Sequence, residues 1–331
     1  MPRIAVLALV LLVACKGSKQ AKGRDAGAGD GGVDPTEVAG KLDKRCVGGD
    51  MEACRNLGVM YAEGVGVSPD PRRATALFAQ ACNGRNLSAC NHFALALSEG
   101  MGVDRNPQRA ALVYQQACDG GFTLACRNLG LMLRDGRGVP VDLQRADKLL
   151  DLACKGKVPF ACTNAGDLDA MIAAKAPTPA PHWKSAIAHY KQGCESGDPT
   201  GCRQIGIAYL EARGLPRSTA AASVWFERAC VADDPIACRV LGAMLIDGVG
   251  VARDYKRGQE LLTHACDRKD DEACRLMTIA ANPAAGDGGV PNSLGDGGLP
   301  LTASDAGSDS AAGTPVLRLD GGSFDAPSKT H

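Results

Sequence analysis

Residues 118–154 read CDGGFTLACRNLGLMLRDGRGVPVDLQRADKLLDLAC, and this single period decides the fold. It opens on Cys118, reaches a second cysteine eight residues on at Cys126, and closes on Cys154, where the next pair begins. Between the cysteines lies an Asp119-Gly120-Gly121 turn. After them come an apolar stretch with Gly130 four places on, a Gly136-Arg137-Gly138-Val139 loop, and a second stretch carrying Ala146 and Leu150. Outward from this period the spacing repeats. The pairs are Cys46/Cys54, Cys82/Cys90, Cys118/Cys126, Cys154/Cys162, Cys194/Cys202, Cys230/Cys238 and Cys266/Cys274, stepping by 36 residues with one step of 40. A fixed period of this length marks a stacked array in which each unit buries its apolar face against its neighbours.

The pairs lack the two-to-four-residue spacing of structural zinc sites, and in an exported chain disulfides are the better reading. Eight residues of one continuous helix would hold the alpha carbons about 12 Å apart, beyond the ~7 Å limit for a bridge. A turn therefore lies within each pair. Asn83-Gly84, Asp119-Gly120-Gly121, Lys155-Gly156 and Glu195-Ser196-Gly197 follow first cysteines, where a helix end prefers glycine in the left-handed conformation. Asp198-Pro199 and Asp234-Pro235 then read as an N-cap with proline in the first turn. Each bridge ties one helix end to the next helix start, and a nine-residue closed loop is worth roughly 2.5 kcal/mol in the chain-entropy account.

Other columns keep the period. Gly58, Gly130, Gly166, Gly206 and Gly242, with Ala94 in the second unit, stand four places after a second cysteine. A mid-helix glycine costs up to about 1 kcal/mol, so its recurrence predicts close approach of a neighbouring helix. Gly64-Val65-Gly66-Val67, Gly100-Met101-Gly102-Val103 and Gly248-Val249-Gly250-Val251 repeat the loop. Ala74, Ala110, Ala146, Ala186 and Ala222, then Phe78, Tyr114, Leu150, Tyr190, Phe226 and Leu262, mark the second helix. The unit is helix, loop, helix, and the fold class is all-α.

On these residues (Leu-Gly-x-x-Tyr, Glu-Gly-x-Gly-Val, Ala-x-x-x-Phe, Ala-Cys and the eight-residue step) the chain resembles the Sel-one-like repeats, relatives of the tetratricopeptide repeat, in their secreted cysteine-rich branch. The resemblance covers about residues 34–281 and implies a right-handed superhelical solenoid of antiparallel helix pairs, the first helix of each lining a concave groove. Two units depart from it. The fourth carries Asp169 to His182 in place of the glycine loop, and the fifth has Ala212 where a loop glycine is expected, so curvature is open at both.

At the N-terminus, Arg3 precedes an apolar run from Ile4 to Val13, and Leu12-Val13-Ala14-Cys15 resembles a bacterial lipobox. The run is too short to span a hydrocarbon core of about 30 Å. A lipidated Cys15 also settles the parity of fifteen cysteines; a plain signal peptide or an unprocessed apolar start is the alternative. The expected organisation is a signal peptide at 1–14, a flexible tether at 15–33, about six repeats with capping helices at 34–282, and a Gly/Asp/Ala/Ser/Pro tail at 283–331. The tether and tail compositions cannot bury enough apolar surface to offset backbone ordering. Gly-Asp-Gly-Gly at 29–32, 286–289 and 295–298 faintly resembles calcium-binding repeats but lacks their consecutive copies.

Thirty-seven basic residues balance thirty-seven acidic ones, leaving no electrostatic footprint for nucleic acid, and aromatics at 4% are too sparse for a stacking platform. The array contains no Ser-x-x-Lys, no His-Glu-x-x-His and no phosphate loop, and Gly-x-Gly follows a helix where a dinucleotide site needs a strand. No cofactor and no catalytic residue is expected. His182 and His189 lie two turns apart on one helix and would need a third ligand to hold a metal; a solvated or half-buried pair is the plainer reading. Asn56, His92, Asn128, Asn164 and Gln204, then Val240 and Leu276, fall two places after second cysteines. Stacked amides can pair with the backbone of an extended peptide, a role the resemblance implies for asparagines of this motif, or the column packs against the preceding helix; periodicity alone leaves both open. Arg55, Arg127, Arg203, Arg239 and Arg275, one place earlier, read as solvated charges. Two function classes follow: an envelope lipoprotein whose groove holds a peptide or protein partner, or, from the resemblance alone, a beta-lactam-binding or weakly hydrolytic enzyme.

Overall fold

Helices α1 (Pro35–Val47), α2 (Met51–Glu63), α3 (Pro71–Asn83), α4 (Leu87–Glu99), α5 (Pro107–Asp119), α6 (Thr123–Asp135) and α7 (Leu143–Lys155) build the first half of the array. The second half comprises α8 (Ala161–Ala173), α9 (Ala180–Glu195), α10 (Pro199–Leu210), α11 (Thr219–Val231), α12 (Pro235–Asp247), α13 (Tyr255–Asp267) and α14 (Asp271–Ala281). The computed structural model describes residues 34–281, and no strand occurs among them. Cys15, the segments expected at 1–14 and 15–33, and the tail at 283–331 lie outside the described residues. Among those described, no helix is long and apolar enough to cross a membrane.

The even-numbered helices α2 to α12 each pair with the helix that follows, giving six helix pairs with α1 and α14 at the ends. Each helix packs on its neighbours in sequence, and the first helices α6, α8 and α10 also approach one another directly. The first helices therefore form an inner row, the second helices an outer one. Burial agrees: α12 buries ten residues and α13 three.

The glycine column produces the predicted close approach. A Cβ at Gly58 would lie 2.7 Å from the Phe78 ring, and one at Gly166 would lie 2.6 Å from Tyr190. The ring of the second helix occupies the space that a side chain on the first would need. Ala74, Ala110, Ala146, Ala186 and Ala222 are buried one turn before these rings, letting the backbones close.

All seven expected cysteine pairs form disulfides: Cys46–Cys54, Cys82–Cys90, Cys118–Cys126, Cys154–Cys162, Cys194–Cys202, Cys230–Cys238 and Cys266–Cys274, with alpha carbons 4.5 to 4.8 Å apart. The first cysteines Cys46, Cys82, Cys118, Cys154, Cys194, Cys230 and Cys266 stand next to last in their helices, as the reading of a bridged helix end requires. The second cysteines follow the start of the next helix by about one turn, as the N-caps at Asp198 and Asp234 predict. Cys54, Cys90, Cys126, Cys202, Cys238 and Cys274 are each the fourth residue of α2, α4, α6, α10, α12 and α14, and Cys162 is the second residue of α8. The reason is the direction of a helical side chain. Cβ leans toward the helix N-terminus, so a cysteine one turn in reaches back to the preceding helix end, while the cap before it is left to Asp50, Asn86, Asp198 or Asp234. These sulfurs are core. Cys54, Cys90 and Cys238 are fully buried and Cys202 nearly so, whereas Cys274, in the last helix, is half-buried for want of a following unit.

The turn inside each pair also differs in one detail from the expectation. Gly84, Gly120 and Gly156 sit at negative φ, and the left-handed residue is the next one. Glycine fills that place at Gly49, Gly121 and Gly197, whereas Arg85, Lys157, Asp233 and Lys269 adopt it against their own preference.

The two irregular units keep the stack by different means. In the fifth, Ala212 takes φ 55°, the conformation a loop glycine would supply, so the loop survives with a strained residue. In the fourth, α8 runs to Ala173 and α9 starts at Ala180, absorbing the four extra residues as added helix around a short Lys175-to-Pro179 connection. The first turn of α8 opens at Phe160, which is also left-handed; neither Val158 nor Phe160 has a side-chain oxygen with which to cap it.

Candidate functional site

The column two places after each second cysteine lies on the inner row of helices, and its members are held differently. Asn56 Oδ1 accepts from Arg55 Nη1 at 2.8 Å. Asn128 donates from Nδ2 to Asn91 Oδ1 at 2.9 Å, while its own Oδ1 accepts from Arg127 Nη1 at 3.4 Å. Arg127 reaches on from Nε to Asn164 Oδ1 at 2.8 Å. Asn91, Asn128, Arg127 and Asn164 thus form one polar ladder across α4, α6 and α8. Burial pulls the Arg127 guanidinium below its ordinary pKa, and burial also pushes the Tyr114 phenol up where it meets Asn128.

Asn56, Asn128 and Asn164 are half-buried, His92 and Gln204 are buried, and Val240 and Leu276 continue the column as core. Each asparagine has four hydrogen-bonding positions, and the ladder uses only some of them. The column therefore serves packing and still presents amide edges to the inner face. His92 stands apart: its ring stacks on Phe78 with centroids 4.9 Å apart, and burial, with Arg55 nearby, lowers its pKa to about 4. At neutral pH the imidazole is uncharged.

The expectation of solvated arginines is corrected at Arg127, held half-buried in the ladder, and most fully at two further positions. Arg203 and Arg239 are 1% and 2% exposed. Arg203 Nε meets Asp234 Oδ2 at 3.0 Å, and Arg239 Nε meets Asp270 Oδ2 at 3.0 Å. Each aspartate caps the first helix of the following unit, so a buried charge locks unit to unit where the sequence shows only a basic residue beside a cysteine. Thr163 fills the same role without charge, donating to Asp198. Arg275, whose side chain is 72% exposed, is solvated as expected.

His189 faces the neighbouring helices: Nδ1 lies 2.8 Å from Asp169 Oδ2, and Nε2 lies 3.8 Å from Asp151. The Asp169 hydrogen bond raises its pKa. Asp147, beside them, is raised by burial and by the Asp169 charge. Among the described residues no group of three or more His, Cys, Asp or Glu is placed to hold a metal ion. All fourteen described cysteines are bridged, which removes the thiol as a nucleophile there.

The Sel1 repeat family profile matches residues 52–86, 88–122, 123–157, 199–234 and 235–270; the interval 158–198 holds most of the irregular fourth unit. Among solved structures, c5321, a protective antigen of uropathogenic Escherichia coli with an SLR fold, superposes with a TM-score of 0.64 at 24% identity. The match covers 77% of this chain and 54% of that one, so the chain spans about half the length of that antigen. A Sel1 repeat protein from Oxalobacter formigenes superposes with a TM-score of 0.60 at 19% identity, covering 70% of this chain and 97% of that one. At these identities the likeness concerns the fold. No curated protein matches the chain.

Proposed function

The chain belongs to the Sel1 repeat family, and from that premise we propose that it is a non-catalytic scaffold of the bacterial envelope that holds an extended peptide segment of a protein partner along its inner helices. The observation that carries the reading is the column of half-buried amides at Asn56, Asn128 and Asn164, the last two one repeat apart and joined by the ladder, with N–H and carbonyl positions left over for a peptide backbone. The partner is a protein; nucleic acid has no basic footprint to bind.

Export and anchoring rest on Cys15 and the apolar run before it, and seven short-range bridges suit an oxidising compartment. Changing Cys15→Ala would block lipid attachment and leave an unprocessed precursor; normal processing and membrane association in that variant would reject the anchor. Beta-lactam hydrolysis has the resemblance behind it and no residue constellation, so nitrocefin should remain uncleaved by purified protein.

The decisive experiment pairs two measurements on Asn128→Ala/Asn164→Ala. Affinity for the partner taken from envelope extract should fall by about 1 to 3 kcal/mol as peptide groups lose their amides. The inner ladder adds a modest stability loss, since Arg127 also loses acceptors. A large loss of stability with unchanged affinity of the folded protein would assign the column to packing alone.

A further inference from the structure

Between the first and second units lies a cavity of about 340 Å³, walled by Ala74, Phe78, Leu95, Ala96 and Met101, with His92 on its wall. Its size is near the lower end of the roughly 300–1,000 Å³ range of small-molecule sites, enough for one ring system. The walls are apolar. Thr75, which also lines it, already donates from Oγ1 to the Met101 carbonyl at 2.7 Å. Arg55, whose charge acts on His92, donates from Nη1 to Asn56 and pairs with Glu52, while its buried Nε makes no hydrogen bond.

His92 is the exception in this lining. It is 7% exposed and stacked on Phe78, yet among the described residues neither ring nitrogen has a hydrogen-bond partner, and neither is sealed from the cavity space. Open on the cavity, these nitrogens are left to solvent, which a ligand carrying a matching donor or acceptor can replace. A neutral imidazole offers one acceptor and one donor. A hydroxyl, which both donates and accepts, pairs with it in either tautomer, whereas a carboxylate or ammonium would be stripped of water against apolar walls. Of the equivalent places elsewhere, Asn56, Asn128 and Asn164 are hydrogen-bonded and Val240 and Leu276 are core, while Gln204, buried like His92, does not line this cavity.

We propose that this cavity is a binding pocket for an uncharged hydroxylated aromatic ring, a phenol, which stacks among Phe78, Leu95 and Met101 and hydrogen-bonds His92. Resting on the scaffold reading for its natural source, the ring is a tyrosine side chain of the peptide held along the inner helices; the chemistry of the pocket itself is independent of that reading.

The test titrates the full mature protein with p-cresol and with toluene, following amide and methyl NMR shifts of the residues around His92, and repeats the titration in His92→Phe and His92→Gln. The expected result is saturable p-cresol binding with shifts centred on Phe78, Leu95 and Met101. Toluene should bind about tenfold more weakly, the worth of about 1.4 kcal/mol or one hydrogen bond. His92→Phe should bring p-cresol to the toluene level, and His92→Gln should restore most of the difference. Melting curves of both variants confirm that the fold is retained. Absence of saturable binding, equal affinity for the two probes, or undiminished p-cresol binding in a folded His92→Phe protein would each overturn the pocket. N-acetyl-tyrosinamide and Asn128→Ala/Asn164→Ala separate the two proposals. If the pocket is right and the groove wrong, p-cresol and the amide-blocked tyrosine bind equally in wild type and in the double variant, and the envelope partner is indifferent to it.

Discussion

Arg203 and Asp234 offer the sharpest test of how the units are locked together. The pair sits at 3.0 Å with side chains 2% and 6% exposed, so little water screens it and little would reach Asp234 if the guanidinium were removed. Arg203→Met keeps the apolar stem and deletes the charge, leaving a buried carboxylate whose remaining compensation is the Ala237 amide of its own cap at 2.7 Å. Breaking a buried pair from one side costs about 3 to 5 kcal/mol, and the surviving cap hydrogen bond places the expectation near the lower figure, about 3 kcal/mol. Changing both, Arg203→Met/Asp234→Ser, removes the stranded charge while a serine still caps α12, so the double variant should lie within about 1 kcal/mol of wild type. Asp234→Ser alone, which strands the buried guanidinium, completes the cycle, and the coupling should exceed about 2 kcal/mol by whatever that single change costs. Because repeat arrays unfold in segments, urea titration should be accompanied by hydrogen exchange, which should show the loss concentrated in α10 and α12. Arg239→Met, facing Asp270, is an internal replicate, and Arg268→Met, which breaks an exposed pair with Asp233, is the control expected to cost no more than about 1 kcal/mol. If Arg203→Met alone costs less than about 1 kcal/mol, or the cycle closes without coupling, the buried charges do not lock the units and the argument fails.

Ala212→Gly should stabilise the fifth unit by about 1 kcal/mol, because the left-handed φ of 55° costs a side chain and not a glycine; a destabilised variant on calorimetry would show that the loop is not strained. Cys118→Ser/Cys126→Ser should lower stability by about 2 kcal/mol, confined to the helices it joins, and non-reducing peptide mapping of the parent should yield seven bridges within pairs and none between them. The two histidines should bend the pH dependence in opposite senses. His92 is depressed from 6.5 to about 4, so its contribution is complete above pH 6.5 and is lost as pH falls toward 4, by up to about 3 kcal/mol; His92→Gln should flatten that acid limb of the stability profile. His189 is raised by Asp169, so its contribution is complete below 6.5 and is lost as pH rises through its folded value; His189→Gln should cost more at about pH 6 than at about pH 8, and equal costs would refute the pairing.

The residues that set the fold act locally and repeat, which is why they can be read without coordinates. A glycine facing Phe78, an aspartate before Pro199 or a cysteine eight residues from another each has one geometric use, and the structure places all three where that use requires. The one-turn offset is legible at Cys202 and Cys238, where Asp198-Pro199 and Asp234-Pro235 mark the helix start, but at Cys126 and Cys162 no capping side chain marks it and the eight-residue step alone does not resolve it. Arg203 escapes the sequence for the opposite reason. A basic residue beside a cysteine carries no mark of burial, and its partner Asp234 is thirty-one positions away, in a role already explained by capping. One signal is nevertheless present: Thr163 and Asn91 interrupt the arginine column, and a purely solvated column has no reason to admit a small hydroxyl that reaches Asp198. The cavity beside His92 is legible only in part. The histidine breaks a run of amides, but the empty volume depends on how Phe78, Leu95 and Met101 fail to fill the space between two units, which no single column reveals.

That failure to fill is informative in an array built this way. Each unit repeats a near-identical core, so a place where the repeat could be packed and is not stands out against its own neighbours. At the same register, Asn128 is held by Asn91 and Arg127, and Val240 is 0% exposed in solid core, showing that the scaffold has two ways to close this position. His92 does neither: its ring nitrogens are left open on the cavity, without the partner Asn128 has and without the solid packing of Val240. A sequence under pressure for stability alone would close it with asparagine or valine, both already present in its own column. The pocket and the amide ladder then divide one inner surface between two tasks. The ladder orients a backbone without regard to sequence, and the cavity selects one side chain, so affinity should be lost with the amides and specificity with His92.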